Sequence, residues 1–299
     1  MIKTTDVIKT FGGFTALNGL NLNVPKGCVY GLVGPNGAGK TTIIKHLTGV
    51  YRQDKGEILI DGKSVYEKPP LKQEIQYISD DVFYFNTFSL KETAAFYKSI
   101  YKNFDSERYE KLKEIFKIDE KRRVNSLSKG MKKQVAFMMA LSSKPEVLIL
   151  DEPLDGLDPV MRRNVIKLIN QDVYDREMTV LISSHNLREL EDLCDRIGIM
   201  HRGKMVLERA LDDLKSNIFK IQAAFDEDID DKLSAMPEVM NLSKLGSVRT
   251  LIVRGEMEPV SEKIKAYNPK IFDIVNLTLE EIFIYELGGM GYELAEQIL

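Results

Sequence analysis

The chain has little cysteine, no long apolar run and no surplus of positive charge, and each shortage removes a class of function. Its two cysteines, Cys28 and Cys194, lie far apart and outside any Cys-x-x-Cys or Cys/His cluster. Neither a zinc site nor a disulfide framework is expected, and a reduced, cytosolic setting fits. No stretch approaches the ~18 apolar residues that a membrane-spanning helix needs. Residues 1–10 alternate charged and apolar side chains and lack the apolar segment of a secretory signal. Any work at a membrane would then need another chain to supply the membrane part. Lys and Arg number 42 against 45 Asp and Glu, a net charge of −3, so no overall positive field gathers phosphate backbones. Nucleic acid is therefore disfavoured as the main partner, and the basic runs Lys121-Arg122-Arg123 and Lys132-Lys133 read as solvated faces. Internal repeats, Ser/Pro-rich linkers and biased tracts are also missing.

What is present is the composition of a globular protein, with 43% hydrophobic and 29% charged residues. At roughly 150 residues per domain, 299 residues make about two domains, each able to bury a core. The first two-thirds alternate β-rich runs with helical patterns, the signature of an α/β fold with a largely parallel sheet. Buried strands are expected at 29–33, 147–150, 179–183 and 197–200. Shorter, more exposed strands at 2–11, 20–24 and 56–61 suggest an antiparallel edge. From residue 89 to 141 the pattern turns helical, with Leu90, Ala94, Tyr97, Tyr101 and Phe104 at spacings of three and four. After about Ala210 a βαββαβ order is readable from 218 to 276, with helices at 230–236 and 260–267, which resembles a ferredoxin-like split βαβ unit. A last helix is expected at 279–286.

The strongest chemical signal is Gly34-Pro35-Asn36-Gly37-Ala38-Gly39-Lys40-Thr41-Thr42, which follows an apolar strand and opens a helix. This is the phosphate-binding loop in its required context. Glycines let backbone amides turn onto phosphate oxygens, and the helix N-terminus adds a favourable dipole. Lys40 would reach the β- and γ-phosphates and Thr41 would ligate Mg²⁺. The run Val147-Leu148-Ile149-Leu150 ends in Asp151 and Glu152, so a buried strand delivers two carboxylates to the sheet edge where open α/β folds bind ligands. Asp151 would hold the Mg²⁺ shell and Glu152 would orient and polarise the attacking water.

With these motifs the chain resembles, over about residues 1–209, the nucleotide-binding subunit of an ATP-binding cassette (ABC) transporter, a P-loop NTPase. The deciding segment is Leu127-Ser128-Lys129-Gly130-Met131, which stands between the loop and the acids where the family carries LSGGQ. In the family this segment opens a helix and contacts the γ-phosphate of ATP held by a second subunit. Ser128 offers a hydroxyl, Gly130 an amide, and the helix behind them its dipole. The resemblance implies an ABC-type domain with a mixed sheet, an antiparallel edge and a helical subdomain at about 86–142, plus a small α+β accessory region at 210–299. It further implies that Phe11 stacks on adenine, that Asp155 and Asp158 lie at a dimer seam, and that His185 contacts the γ-phosphate. Asp158-Pro159 also reads as a helix N-cap with Pro at the first position. His46 and His201 have no such placement and are taken as structural.

Two segments, with three positions between them, depart from the family pattern. Asp80 stands where Gln is usual; an ionised Asp only accepts, so it could ligate Mg²⁺ or position water but not donate to a phosphate. Lys129 and Met131 replace Gly and Gln, and Lys129 could add charge near phosphate or be a solvated first-turn residue. The aromatic run Phe83-Tyr84-Phe85, with Phe88, falls where the family receives a cytoplasmic helix of the membrane subunit. It could equally be the core of the helical insert.

The resemblance therefore implies an ATPase using ATP and Mg²⁺, working as a homodimer or with a related subunit, and attached to the cytoplasmic face of a membrane through a permease on a separate chain. The ending Leu277-Thr278-Leu279-Glu280-Glu281-Ile282-Phe283 resembles the tail of export-type cassettes. The alternative is a soluble ABC-type ATPase without a membrane partner. Against it stand the single cassette, the lack of zinc cysteines and the lack of a basic surface. A regulator that scarcely turns over would be expected to lack Glu152 or His185, and both are present.

Overall fold

Alternating apolar residues open the chain as two strands, β1 (Ile2–Phe11) and β2 (Phe14–Val24), of 10 and 11 residues. The turn between them uses Gly12 and Gly13 at φ 53° and 90°, where a side chain would be strained. β3 (Val29–Val33), buried at all five positions, runs through a loop into α1 (Lys40–Leu47). β4 (Lys55–Ile60), β5 (Lys63–Ser64), the short α2 (Pro69–Lys72) and β6 (Ile75–Ile78) follow. Three helices come next, α3 (Leu90–Ile100), α4 (Ser106–Phe116) and α5 (Lys129–Ser142). Then the sheet resumes with β7 (Val147–Asp151), α6 (Pro159–Arg176), β8 (Thr179–Ser184), α7 (Leu187–Glu191), β9 (Arg196–His201) and β10 (Lys204–Ala210). This computed structural model describes residues 1–288. The chain divides into two compact units, Met1–Glu208 and Arg209–Leu299.

In the first unit a six-stranded sheet has the order β10-β9-β3-β8-β7-β6. Strands β9, β3, β8, β7 and β6 pair in parallel, so their carboxyl ends share one edge. The antiparallel strands lie where expected, with β2 starting six residues earlier, and form a sheet of their own, β2-β1-β4-β5, in place of an edge on the parallel sheet. The reason is a shared core: Ile2, Leu20, Val24 and Ile58 pack with Leu32, Ile43, Leu47 and Ile149 in one cluster, placing α1 in the same apolar interior as both sheets.

The helical segment is built on side-chain caps. Ser89 and Glu92 form a reciprocal capping box for α3, Asp105 caps α4 and Ser128 caps α5. Every residue of α5 from Lys133 to Ser142 is buried, which marks it as an interior helix. Tyr101, expected to continue α3, instead caps its C-terminus, and Phe104 lies in the following loop.

The second unit contains α8 (Leu211–Asn217), β11 (Ile218–Ala224), α9 (Asp230–Ser234), β12 (Val239–Leu245), β13 (Val248–Arg254), α10 (Met257–Lys265), β14 (Ile271–Val275) and α11 (Leu279–Gly288). Its sheet is antiparallel in the order β12-β13-β11-β14. One face carries Phe219, Ile221, Leu251 and Val253, which pack on Leu233, Val260 and Ile264 of the two helices.

Candidate functional site

The site forms where β3, β6 and β7 of the first unit end. Two glycines of the loop after β3 are required by space. A Cβ on Gly34 would meet the Met200 carbonyl oxygen at 2.3 Å, and one on Gly39, at φ 107°, would meet that of Ala16 at 2.8 Å. The loop is therefore pressed against its surroundings, and α1 starts at Lys40 directly behind it. The Lys40 ammonium donates to the Gly34 carbonyl at 2.5 Å and lies 3.8 Å from Glu152 Oε1. Burial lowers the Lys40 pKa, and the carboxylates of Glu152 and Asp151 oppose the shift. Residues 35–42 of the loop line a pocket of about 320 Å³ with Phe14, Ala16, Asp80, Asp151 and Glu152.

The two acids are held by different means. Asp151, 4% exposed, accepts the Ser183 hydroxyl at 2.5 Å from the neighbouring strand β8. Glu152 leaves the strand at φ 47°, a left-handed conformation unusual for a residue other than glycine. Its N–H faces Ser183, 3.2 Å from both the carbonyl and the hydroxyl oxygen, and its carbonyl accepts the Lys133 ammonium at 2.6 Å. The side chain turns to His185, whose Nδ1 stands 2.9 Å from Oε2. Glu152, Asp155 and His185 each place a polar atom within 4.8 Å of the others.

Ser128 caps α5, its hydroxyl oxygen accepting the Met131 N–H at 3.3 Å. A Cβ on Gly130 would lie 2.3 Å from the Gly156 carbonyl oxygen, so this segment packs directly on the loop after Glu152. Neither Ser128 nor Gly130 lines the pocket of its own chain. Asp158 caps α6, accepting the N–H groups of Val160 and Met161 at 3.0 Å each, with Pro159 beginning the helix.

Comparison with known proteins decides the family. A family model described as "ABC transporter" matches residues 17–155. The chain is 31% identical over 289 residues to the ABC transporter ATP-binding protein YtrB of Bacillus subtilis (strain 168), covering 97% of this chain and 99% of that protein. It belongs to the ABC transporter ATP-binding proteins. The cassette is also 36% identical to the bacitracin transport ATP-binding protein BcrA of Bacillus licheniformis, over 72% of this chain and 71% of that one. A solved structure of an ATP-binding subunit of an ABC transporter superposes with a TM-score of 0.67 at 27% identity, covering 72% of this chain and 92% of that chain. The cassette is thus an ATP-binding and ATP-hydrolysing subunit of an ABC transporter.

Several side chains of the cassette stand differently from their sequence expectations. Phe11, 41% exposed, lies outside the pocket lining and packs edge-to-face on Tyr51 at 5.4 Å. Phe14, opposite it in the β1–β2 register and 66% exposed, lines the pocket instead; the Gly12-Gly13 turn that pairs them was its only signal. Asp80 is engaged by two ammonium groups, Lys129 at 3.1 Å and Lys133 at 3.2 Å. Burial works to raise its pKa, but the bonds from the two lysines outweigh it and hold the carboxyl below the usual range. Lys133 is not a solvated residue: its side chain is 0% exposed. Ser183 and Lys133, both missed in the sequence, became visible only when strand pairing and helix packing brought them to Asp151 and Glu152. His46 is buried with Nδ1 2.7 Å from the Thr42 carbonyl oxygen, a structural role.

The aromatic run splits. Tyr84 is buried and donates to the Lys132 carbonyl at 3.1 Å, whereas Phe83 is 84% exposed. Phe85 and Phe88 stack with Phe96 of α3, leaving an aromatic surface on the helical segment.

Proposed function

We propose that the cassette hydrolyses ATP in a sandwich of two ATPase subunits and drives a separate membrane-spanning permease that exports its cargo. The observation that carries this reading is the convergence of Lys40, Asp151 and Glu152, with His185 on Glu152, at one phosphate-loop pocket. The amides of residues 34–42 and the Lys40 ammonium would bind the β- and γ-phosphates. Glu152 would accept a proton from the attacking water while His185 orients the carboxylate and faces the γ-phosphate. Phe14 and Phe11 would receive the adenine from the two sides of the Gly12-Gly13 turn.

The donor set suits Mg²⁺, because Thr41 offers a hydroxyl and Asp151 a carboxylate to the same pocket. When bound, the ion would neutralise charge developing on the phosphoryl oxygens. In the resting subunit Asp80 would serve as the partner of Lys129 and Lys133, through Oδ1, before it serves as a metal ligand.

Dimerisation is supported by the placement of Ser128, Lys129 and Gly130. They lie outside the lining of their own pocket, so the Ser128 hydroxyl, the Gly130 amide and the helix dipole are available to nucleotide on a second subunit, across a seam containing Asp155 and Asp158. No helix among the described residues is long and apolar enough to cross a membrane, which agrees with a permease on another chain. Its cytoplasmic helix would dock on Phe83 and the Phe85–Phe88–Phe96 surface, placing the cassette on the cytoplasmic face. Transport is supported by the bacitracin transport relative, and its outward direction by the tail at 277–283. Residues 210–299 would form a ferredoxin-like accessory domain that assists dimerisation or regulation, while residues 1–209 carry the ATP chemistry.

The test is purification of the Glu152→Gln protein with Mg²⁺ and ATP from detergent-solubilised membranes of its own cell, followed by mass spectrometry. A polytopic membrane protein should accompany it, in lower yield when Phe83 is also changed to Ser. If only soluble chains appear, the transporter coupling gives way to a soluble ATPase.

A further inference from the structure

Glu152 is held at φ 47°, a conformation that a side chain with a Cβ adopts only when its neighbours over-determine it. On the amide side the partner is Ser183. On the carbonyl side it is Lys133, a side chain from the middle of α5 that is fully removed from solvent and reaches the Glu152 oxygen at 2.6 Å. A buried ammonium is costly unless paired, and among the described residues the carboxylate paired with it is Asp80, at 3.2 Å. Asp80 is the residue that replaces the Gln of the family pattern. The three groups form a chain: carboxylate of the segment after β6, ammonium of the helix that follows Ser128, main chain of the acid that polarises water.

We propose that Lys133, held in place by its ion pair with Asp80, is a positioning residue for Glu152. The inference rests on the reading of Glu152 as the water-polarising group. A neutral residue at 80 leaves the Lys133 ammonium buried without a counter-charge. Lys133 then releases the Glu152 carbonyl, the left-handed turn relaxes, and the carboxylate moves away from the water it must orient.

The experiment is steady-state ATP hydrolysis by the full-length chain carrying Asp80→Asn, Asp80→Glu, Lys133→Gln or both Asp80→Asn and Lys133→Gln, with Glu152→Gln as reference and unfolding measured in parallel. Displacing a catalytic group by about 1 Å costs up to roughly a hundredfold, so each neutral single variant should lose about ten- to a hundredfold in kcat. KM for ATP should stay within about twofold, and the double variant should be no slower than the slower single, because residues acting as one unit are not additive. Asp80→Glu, which keeps the charge, should recover part of the loss. Losses that multiply in the double variant, or an unchanged kcat in Asp80→Asn, would overturn the proposal. So would a raised Mg²⁺ requirement confined to the Asp80 variants, which would make Asp80 a metal group. If Lys133→Gln does not fold, the Asn and Glu variants at 80 decide: equal losses in both reject a charge-dependent role. Full activity in Glu152→Gln would instead sink the reading of Glu152, whereas its inactivity beside normal Asp80 and Lys133 variants would sink only the positioning pair.

Discussion

The ammonium of Lys129 lies 3.1 Å from Oδ1 of Asp80, so two of the positions at which this cassette departs from its family's motifs are partners in space. One sits at the end of the segment after β6 and the other in the first turn of α5, and each explains the other. An Asp in place of Gln offers only acceptors, and a Lys in place of Gly supplies the donor. Both side chains are substantially exposed, so the pair orients the segment without adding much stability. Lys129→Ala should therefore cost no more than about 1 kcal/mol, and less at high salt. Urea unfolding at two ionic strengths checks this; a larger, salt-independent loss would mean that Lys129 packs rather than pairs.

Gly130 is fixed by a different constraint. Its neighbour is the backbone of Gly156, which cannot rotate out of the way as a side chain would. Gly130→Ala should push the loop at 154–158 outward, destabilise the chain by about 1–3 kcal/mol as overpacking does, and impair hydrolysis by disturbing the segment after Glu152. Unfolding midpoints and ATPase rates, measured together, would contradict this if both stayed at the level of the parent protein.

Asp105 provides a test of charge. Its carboxylate accepts the Lys144 ammonium at 2.6 Å and the Arg108 amide at 3.0 Å, and in that order these bonds lower its pKa below 3.8 against a smaller effect of burial. The unfolded chain then binds more protons than the folded one in the interval below the ordinary carboxylate value. The stabilisation is present above that value and disappears as pH falls through the folded-state pKa. Asp105→Ala should cost about 1 kcal/mol near neutral pH, the usual worth of a helix cap. The difference from the parent should shrink steadily in acid, and a pH-independent difference in denaturant titrations would reject the charge contribution.

ATP binding should be visible as stability. A ligand that binds only the folded state at about a hundred times its Kd stabilises by about 2.7 kcal/mol. Calorimetry with ATP should show the unfolding of the cassette moving upward. In Lys40→Ala, which removes the ammonium from the phosphate loop, the upward shift should largely vanish. Equal shifts in parent and variant would place the nucleotide elsewhere.

Much of the site is legible along the chain because its chemistry is carried by consecutive residues. The loop at 34–42 and the acids at 151 and 152 each follow an apolar strand, and strand ends are where a parallel sheet presents functional groups. The Ser128 cap and the Asp158-Pro159 helix start are legible for the same reason, since capping is decided within about four residues. The order of elements from Ile218 to Val275 also follows from local period and turns.

Relationships between residues distant in sequence come from tertiary packing alone. Nothing in the local pattern says that β1 and β2 leave the parallel sheet for one of their own, because that depends on which apolar faces meet α1. Nothing near Lys133 distinguishes it from the half-buried lysine beside it; its burial follows from α5 being packed on all sides. Ser183 meets Asp151 through strand pairing, and Phe14 takes a place in the pocket lining through the turn opposite Phe11. Which groups the cassette possesses, and where they lie along its strands and helices, is written in short stretches of chain, because hydrogen-bonded local structure is specified over a few residues. Which of them are partners was decided by packing, whose contacts join positions that no short-range pattern connects.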